Sequence, residues 1–325
     1  MTTEWLDALG YTPSDVVMRS EGVAPSHPYA REIGMLLDPK GEIGASAIFE
    51  IDRVPTVCFV EATSGEAANG DWIDSIRQKI WNQNLVSIVL VLTSDSAQPF
   101  PVQKDAEPAG TLALKVASVD GPFSAIDIAS GDIQKRHPSW FSLEGRVDRN
   151  LLKNLSIAVG RLKPLEIAPG EALGLDRAQL LLGQCMFVSY LEHRGMVSDA
   201  YRQRRGVGEL RALVKARDHA GLGELFKQLK HDFNGDLLES EVDAVRCWLS
   251  LPDPALELIR QFLDYADMEV GQESLWHYDF RYIPVELISG IYETILAEQH
   301  KDKVGCCRFN RHPPKLLKLP RTVPD

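Results

Sequence analysis

The longest apolar run in the chain, LVSIVLVL at residues 85–92, limits the fold more than any other segment. Its length suits a strand and falls far short of the ~20 residues that a helix needs to cross a bilayer. A run with so few polar positions has to be buried, so it needs partner strands and helices to cover it. The preceding residues supply one cover. Trp72, Ile73, Ile76, Ile80 and Trp81 recur at helical spacing and predict a helix over 71–82. Upstream, 45–51 and 55–62 are rich in β-formers and are separated only by Asp52-Arg53, a spacing that suits a hairpin. A short helix over 29–37 and a further strand over 111–117 complete the pattern. Helix, strand, strand, helix, strand predicts a small mixed sheet covered by helices.

After this segment the pattern changes. Residues 99–110 hold Pro99, Pro101 and Pro108 and suggest a loop, and 121–146 are polar and aromatic without a strong period. From residue 148 the chain reads as helical. The stretch LLLGQCMFVSYL is apolar nearly all round and predicts a buried helix running to His193, capped by Asp176 and ended by Gly195. Leu222, Leu225, Phe226, Leu229 and Phe233 mark another helix, closed by Asn234-Gly235. Asp253-Pro254 suggests the start of a third, and Pro284 opens the last. The expected organisation is an α/β domain at 1–120, a linker at 121–147, an all-α region at 148–300 and a disordered basic tail at 301–325.

Bulk properties narrow the function classes. A chain of 325 residues, 44% hydrophobic and 25% charged, can bury a core without disulfides or metals. Its N-terminus, MTTEWLDALG, lacks the basic start of a signal peptide, and the expected location is the cytoplasm. Cys58, Cys185 and Cys247 sit in apolar patterns and suit buried thiols. Cys306 and Cys307 are adjacent, near His300 and His312, and lack the C-x₂₋₄-C spacing of a zinc site, so no metal site is expected. The net charge of -11 counts against general nucleic-acid affinity, although the local distribution of charge decides binding.

Three segments carry a family resemblance: RQKIWNQNLVSIVLVL at 77–92, LLGQCMFVSYLEHRGMV at 181–197 and ESLWHYDFRYIPVELISGIYETIL at 273–296. They resemble large single-chain restriction–modification methylases of the type IIG kind. Those enzymes act on the exocyclic amine of adenine in phage defence. In that family the last segment leads into K-x-x-G-A-Y-Y-T-P, which opens the S-adenosylmethionine domain, and an N-P-P-Y motif follows to hold the flipped adenine. Here Lys303-Val304-Gly305 is followed by Cys306-Cys307-Arg308-Phe309, and the sequence has no N-P-P-Y. Methylating a duplex adenine requires a pocket for the extruded base. The resemblance therefore implies the N-terminal, non-methylating part of such an enzyme, truncated, frame-disrupted or split, with no cofactor of its own. The expected partners are DNA, bound weakly and non-specifically, and a separately encoded methyltransferase domain. Alternatives are a stand-alone DNA- or partner-binding adaptor and a Mg²⁺-dependent nuclease.

The nuclease alternative rests on strand order, which is similar to the PD-(D/E)xK core. That chemistry needs one acid on a strand and E-x-K on the next. Glu50 and Asp52 are candidates for the first acid and Glu61 for the second, but Thr63 stands where the lysine belongs. This implies a degenerate scaffold. For DNA contact, residues 201–217 hold Arg202, Arg204, Arg205, Arg211, Lys215 and Arg217 against one acid, Glu209. Arg202, Arg204, Arg205 and Lys215 are the candidate phosphate ligands, and a solvated helix face is the plainer reading. Trp276, Tyr278, Asp279 and Tyr282, with Phe280 among them, precede Pro284. By themselves they suit a packed, strand-like lead into the final helix, and the resemblance, which places the next domain here, implies a domain interface left partly bare.

Overall fold

The computed structural model describes residues 1–233, 244–264, 266–274 and 276–303. The chain divides into two compact units, Met1–Asn150 with Trp276–Pro284, and Leu151–Leu275 with the residues from Val285 onward. The first unit contains α1 (Thr2–Ala8), β1 (Val16–Met18), α2 (Ala30–Leu37), β2 (Ala47–Ile51), β3 (Val54–Glu61) and α3 (Ser64–Ala67). It continues through α4 (Gly70–Gln83), β4 (Ile88–Leu92), β5 (Ser96–Pro101), β6 (Leu112–Ala113), α5 (Ala125–Ala129) and α6 (Asp132–Arg136). The six strands lie in sequence order in one sheet. Neighbours are antiparallel except β3 and β4, which are parallel and joined through α4.

The predicted hairpin is present. Asp52 and Arg53 turn it with φ of 50° and 64°, the left-handed pair that a tight two-residue turn demands. Neither residue is glycine, which is why the turn was faint in the sequence. The predicted helix over 71–82 is α4, capped at its start by Asn69 Oδ1, which accepts from the Trp72 amide at 3.2 Å. All five residues of β4 are buried, as its composition demands.

Three expectations for this unit need correction. The proline-rich loop begins with a strand, β5, paired antiparallel to β4. The carbonyls of Pro99 and Pro101 face away from β4, toward the Ala109 amide and Arg77 Nε. In a strand the amide position and carbonyl of one residue point the same way, so these prolines cost the β4 ladder nothing. The strand expected at 111–117 shrinks to Leu112–Ala113. The expected linker at 121–147 belongs to the core. Phe123, Ile128, Ile133 and Trp140 are buried against Trp5, Phe49, Phe59 and the inner residues of β4. Tyr11 meets Phe49 and Phe59 edge-on and donates its hydroxyl to the Phe123 carbonyl at 2.7 Å, which ties this segment to the sheet. Isolated aromatics between short helices have no period, so the segment resembled a linker in sequence.

The second unit is mostly helical. It contains α7 (Val147–Leu162), whose first residues fall in the first unit, and a small hairpin of β7 (Glu166–Ala168) and β8 (Glu171–Ala172). Then come α8 (Gly174–His193), α9 (Asp199–Arg205), α10 (Leu210–Ala216), α11 (His219–Phe233), α12 (Ala244–Leu249) and α13 (Asp253–Leu263). A second hairpin, β9 (Ala266–Asp267) and β10 (Gln272–Glu273), precedes α14 (Val285–Lys303). As expected, α8 is buried on nearly every side, but it begins at Gly174 with Leu173 at the cap position, so Asp176 lies within its first turn rather than capping it. Its Gln184 Oε1 accepts from Trp248 Nε1 at 2.8 Å. Trp248 in turn stacks on Phe226 of α11, with ring centroids 4.7 Å apart. Asp253 is the first helical residue of α13, and Pro252 takes the cap position. Burial pushes the thiols of Cys58 and Cys185 up, and that of Cys247 to about 11, so all three are inert core residues. The expected tail at 301–325 is corrected at its start, where residues up to Lys303 continue α14. Residues 304–325, with Cys306 and Cys307, and Asn234-Gly235 lie outside the described residues. Among the described residues no helix is long and apolar enough to cross a membrane.

Candidate functional site

Helix α4, which carries the first part of the 77–92 segment, is the organising element of the first unit. Its apolar face packs Ile73, Ile76 and Ile80 inward, and its polar residues hold the chain at three other places. Arg77 is buried. Its Nε donates to the Pro101 carbonyl at 2.7 Å, Nη2 to the Gln103 carbonyl at 2.9 Å, and Nη1 to Asp74 at 2.8 Å. The guanidinium also lies 5.2 Å from the ring centre of Trp276. Trp81 donates through Nε1 to the Gly145 carbonyl at 2.7 Å, stacks on Tyr278 and meets Trp276 edge-on. Asn82 is fully buried. Its Nδ2 donates to the His277 carbonyl at 3.1 Å, and its Oδ1 accepts from the Asp279 amide at 3.0 Å.

These contacts alter the reading of 276–284. Trp276, Tyr278, Phe280 and Tyr282 are buried in the first unit rather than left partly bare. Asp279 pairs with Arg281, whose Nη1 also reaches Glu42 Oε1 at 3.0 Å. The aromatics were visible in the sequence, but their receptor, α4, lies almost 200 residues earlier (the Asn82 and Asp279 positions differ by 197). The missed signal was a buried asparagine among the apolar residues of a helix, since such a group is kept only where it finds partners.

The candidate nuclease acids are not brought together. Glu50 lies opposite Pro55, at the turn end of the hairpin, whereas Glu61 closes the far end of β3. At about 3.4 Å per residue, roughly 20 Å of strand separates them. Glu50 Oε1 lies 3.1 Å from His27 Nε2, at an angle that makes no hydrogen bond, and Asp52 is exposed in the turn. Among the described residues no three His, Cys, Asp or Glu side chains are grouped to hold a metal ion.

Glu61 has a different neighbourhood. It lies at the C-terminal end of the parallel pair β3–β4, where open α/β sheets place their ligands. There its Oε1 accepts from the Thr2 amide at 2.9 Å and the Thr2 hydroxyl at 2.6 Å. A carboxylate at the first turn of α1 suits the positive end of that helix. The Thr2 hydroxyl bond, with the adjacent amide, N-terminal charge and Arg19, holds the Glu61 carboxyl below the usual range against the opposing effect of burial. Thr63, at the place of a catalytic lysine, instead caps α3 in a reciprocal pair with Glu66.

The basic stretch of the second unit divides by partner. Arg202 pairs with Glu192 at 3.5 Å and with Asp199, and donates to the Val197 carbonyl at 3.0 Å. Arg205 pairs with Asp232, which also accepts from Tyr201 at 2.7 Å. Arg217 pairs with Asp253 at 2.6 Å, and Arg211 reaches Asp264 at 3.5 Å. Arg204 and Lys215 are exposed and have no ion pair among the described residues. Of the four candidate phosphate ligands, two are engaged within the fold and two face solvent.

Comparison with family models, curated proteins and solved structures finds no match to this chain.

Proposed function

We propose that this chain is the N-terminal scaffold of a cytoplasmic restriction–modification adenine-specific DNA methyltransferase of the type IIG kind, and that it contacts DNA without transferring a methyl group. The observation that carries the reading is the strand order of the first unit. An antiparallel hairpin, β2–β3, is followed by crossover helix α4 and parallel strand β4, with Glu61 at the end of β3. This is the order expected of a nuclease-like core, and it is built from the segment at 77–92 that resembles the methylases. Glu61 is occupied by Thr2, Thr63 is a helix cap, and Glu50 lies at the other end of the hairpin. The first unit thus supports a scaffold role better than Mg²⁺-dependent cleavage.

Sequencing the DNA beyond codon 305 in all three frames tests the family reading. A frame encoding G-x-Y-Y-T-P and N-P-P-Y is the expected result, and its absence overturns the proposal. Incubation with supercoiled plasmid and Mg²⁺ tests the scaffold role, and linear or nicked product in proportion to protein would overturn it.

A further inference from the structure

A cavity of about 290 Å³ opens in the first unit beside the C-terminus of α4, with Trp81, Asn84, Ser87, Gln134, Phe141 and Arg146 among its lining residues. It lies at the start of β4, whereas Glu61 is level with the strand's end, so it is separate from the surroundings of Glu61. Its volume falls near the low end for small-molecule sites.

The lining is set up around Arg146. Its Nε donates to Asn84 Oδ1 and Asp148 Oδ1, each at 3.2 Å, which holds the guanidinium from behind. Its two Nη groups have no acceptor among the described residues. The segment that carries it is fixed by Trp81 Nε1 on the Gly145 carbonyl and by Gln103 Nε2 on the Ser142 carbonyl at 3.0 Å. Asn84 is itself in the left-handed region, with φ of 60°, because it closes α4. A guanidinium held at Nε with its fork uncommitted is arranged to take two oxygens of an anion side by side. Around it, the Asn84 Nδ2, the Ser87 hydroxyl and the Gln134 amide have no side-chain hydrogen bond among the described residues. A phosphate can use such scattered donors through its three acceptor oxygens. Phe141 adds aromatic surface for a planar group, while the ring of Trp81 is taken up by Tyr278 and Trp276.

We propose that this cavity binds a nucleoside monophosphate, with the phosphate on the Arg146 fork and the base against Phe141. The nucleotide can come from the free pool or from the 5′-phosphorylated end of a strand, since both present the same group.

Calorimetric titration of the full chain with AMP and with GMP tests this. The expected result is saturable binding of at least one of them at one site per chain, with adenosine, guanosine and inorganic phosphate each weaker. Losing a charge-assisted pair should weaken binding by about tenfold or more in Arg146→Gln. Because that change also removes the bond to Asn84, the exposed rim variant Gln134→Glu provides an independent reading. It adds a negative charge beside the phosphate and should weaken binding while leaving thermal stability unchanged. Equal affinity for a 5′-phosphorylated dinucleotide would identify a strand end as the source, and preference for the mononucleotide would identify the free pool. No saturable binding, binding unchanged in both variants, or nucleoside binding as tight as nucleotide binding would overturn the proposal.

Discussion

Asn82 and Asp279 are joined by a 3.0 Å hydrogen bond from the Asp279 amide to the Asn82 side chain, across 197 positions of sequence. The same side chain donates to the His277 carbonyl two residues earlier. One buried amide therefore satisfies two backbone groups of a returning segment, and the ring stack of Trp81 on Tyr278 covers the join.

Replacing Asn82 tests how strongly this bracket holds the segment. Asn82→Leu keeps the volume and leaves the Asp279 amide and His277 carbonyl with one partner fewer. An unsatisfied buried group costs about 1–3 kcal/mol, so a loss in that range is expected in chemical denaturation. Proteolysis should also begin to cut between Trp276 and Pro284. A variant as stable and as resistant as the parent would show that the aromatics alone hold the segment.

The sequence made the sheet more legible than its attachments. The run at 85–92 and the stripe on α4 are periodic or continuous, so local pattern predicts them. The hairpin turn was legible only as a gap between strands, since Asp52-Arg53 adopts a conformation usually marked by Asn-Gly. Strand β5 was hidden by prolines whose orientation depends on a ladder that sequence does not show. The site was less legible still. Acids at 50, 52 and 61 look close in sequence, but a hairpin places residues near its turn far from residues at its open end. The engagement of Arg202 and Arg205 depends on Glu192 and Asp232, which belong to other helices.

Glu61 makes the stability of the first unit pH-dependent in a defined direction. Its carboxyl is held below the ordinary value, first by the Thr2 hydroxyl bond. A depressed folded value contributes stability that is fully present above the unfolded value, about 4.3, and is lost as pH falls through the folded value. Glu61→Gln should remove that contribution. Its denaturation midpoint should be lower than the parent's at pH 7 and converge on it under acid conditions. A constant difference between the two proteins across this range would mean that Thr2 does not stabilise the ionised form.

Methyl transfer is not expected of this chain. The sequence has no N-P-P-Y, and Cys306-Cys307-Arg308-Phe309 stands where the methylases it resembles continue toward the cofactor. Calorimetry with S-adenosylmethionine should show only heat of dilution. A saturable isotherm at micromolar cofactor would mean that a binding site lies elsewhere in the chain and would count against the scaffold reading.

The basic stretch yields the last prediction, because the ion pairs divide its residues. A phosphate approaching Arg202 or Arg205 has to displace Glu192, Asp199 or Asp232, which are already in contact. Arg204 and Lys215 carry no such cost. Each phosphate contact contributes about 0.9 to the slope of log affinity against log salt. If duplex DNA binds here, the pair Arg204→Ala and Lys215→Ala should therefore flatten the slope almost as much as alanine at all four positions. Arg202→Ala with Arg205→Ala should leave the slope close to the parent's and instead lower thermal stability, since Asp232 and the largely buried Glu192 lose their cations. With a net charge of -11, the parent affinity should be weak, on the order of the micromolar non-specific range, and alike for every duplex. Fluorescence anisotropy over a salt series measures the parent and the three variants in one format. A slope that falls only in the Arg202 and Arg205 pair would mean that these ion pairs open on binding. A slope unchanged in every variant would show that the stretch is a solvated face with no part in DNA contact.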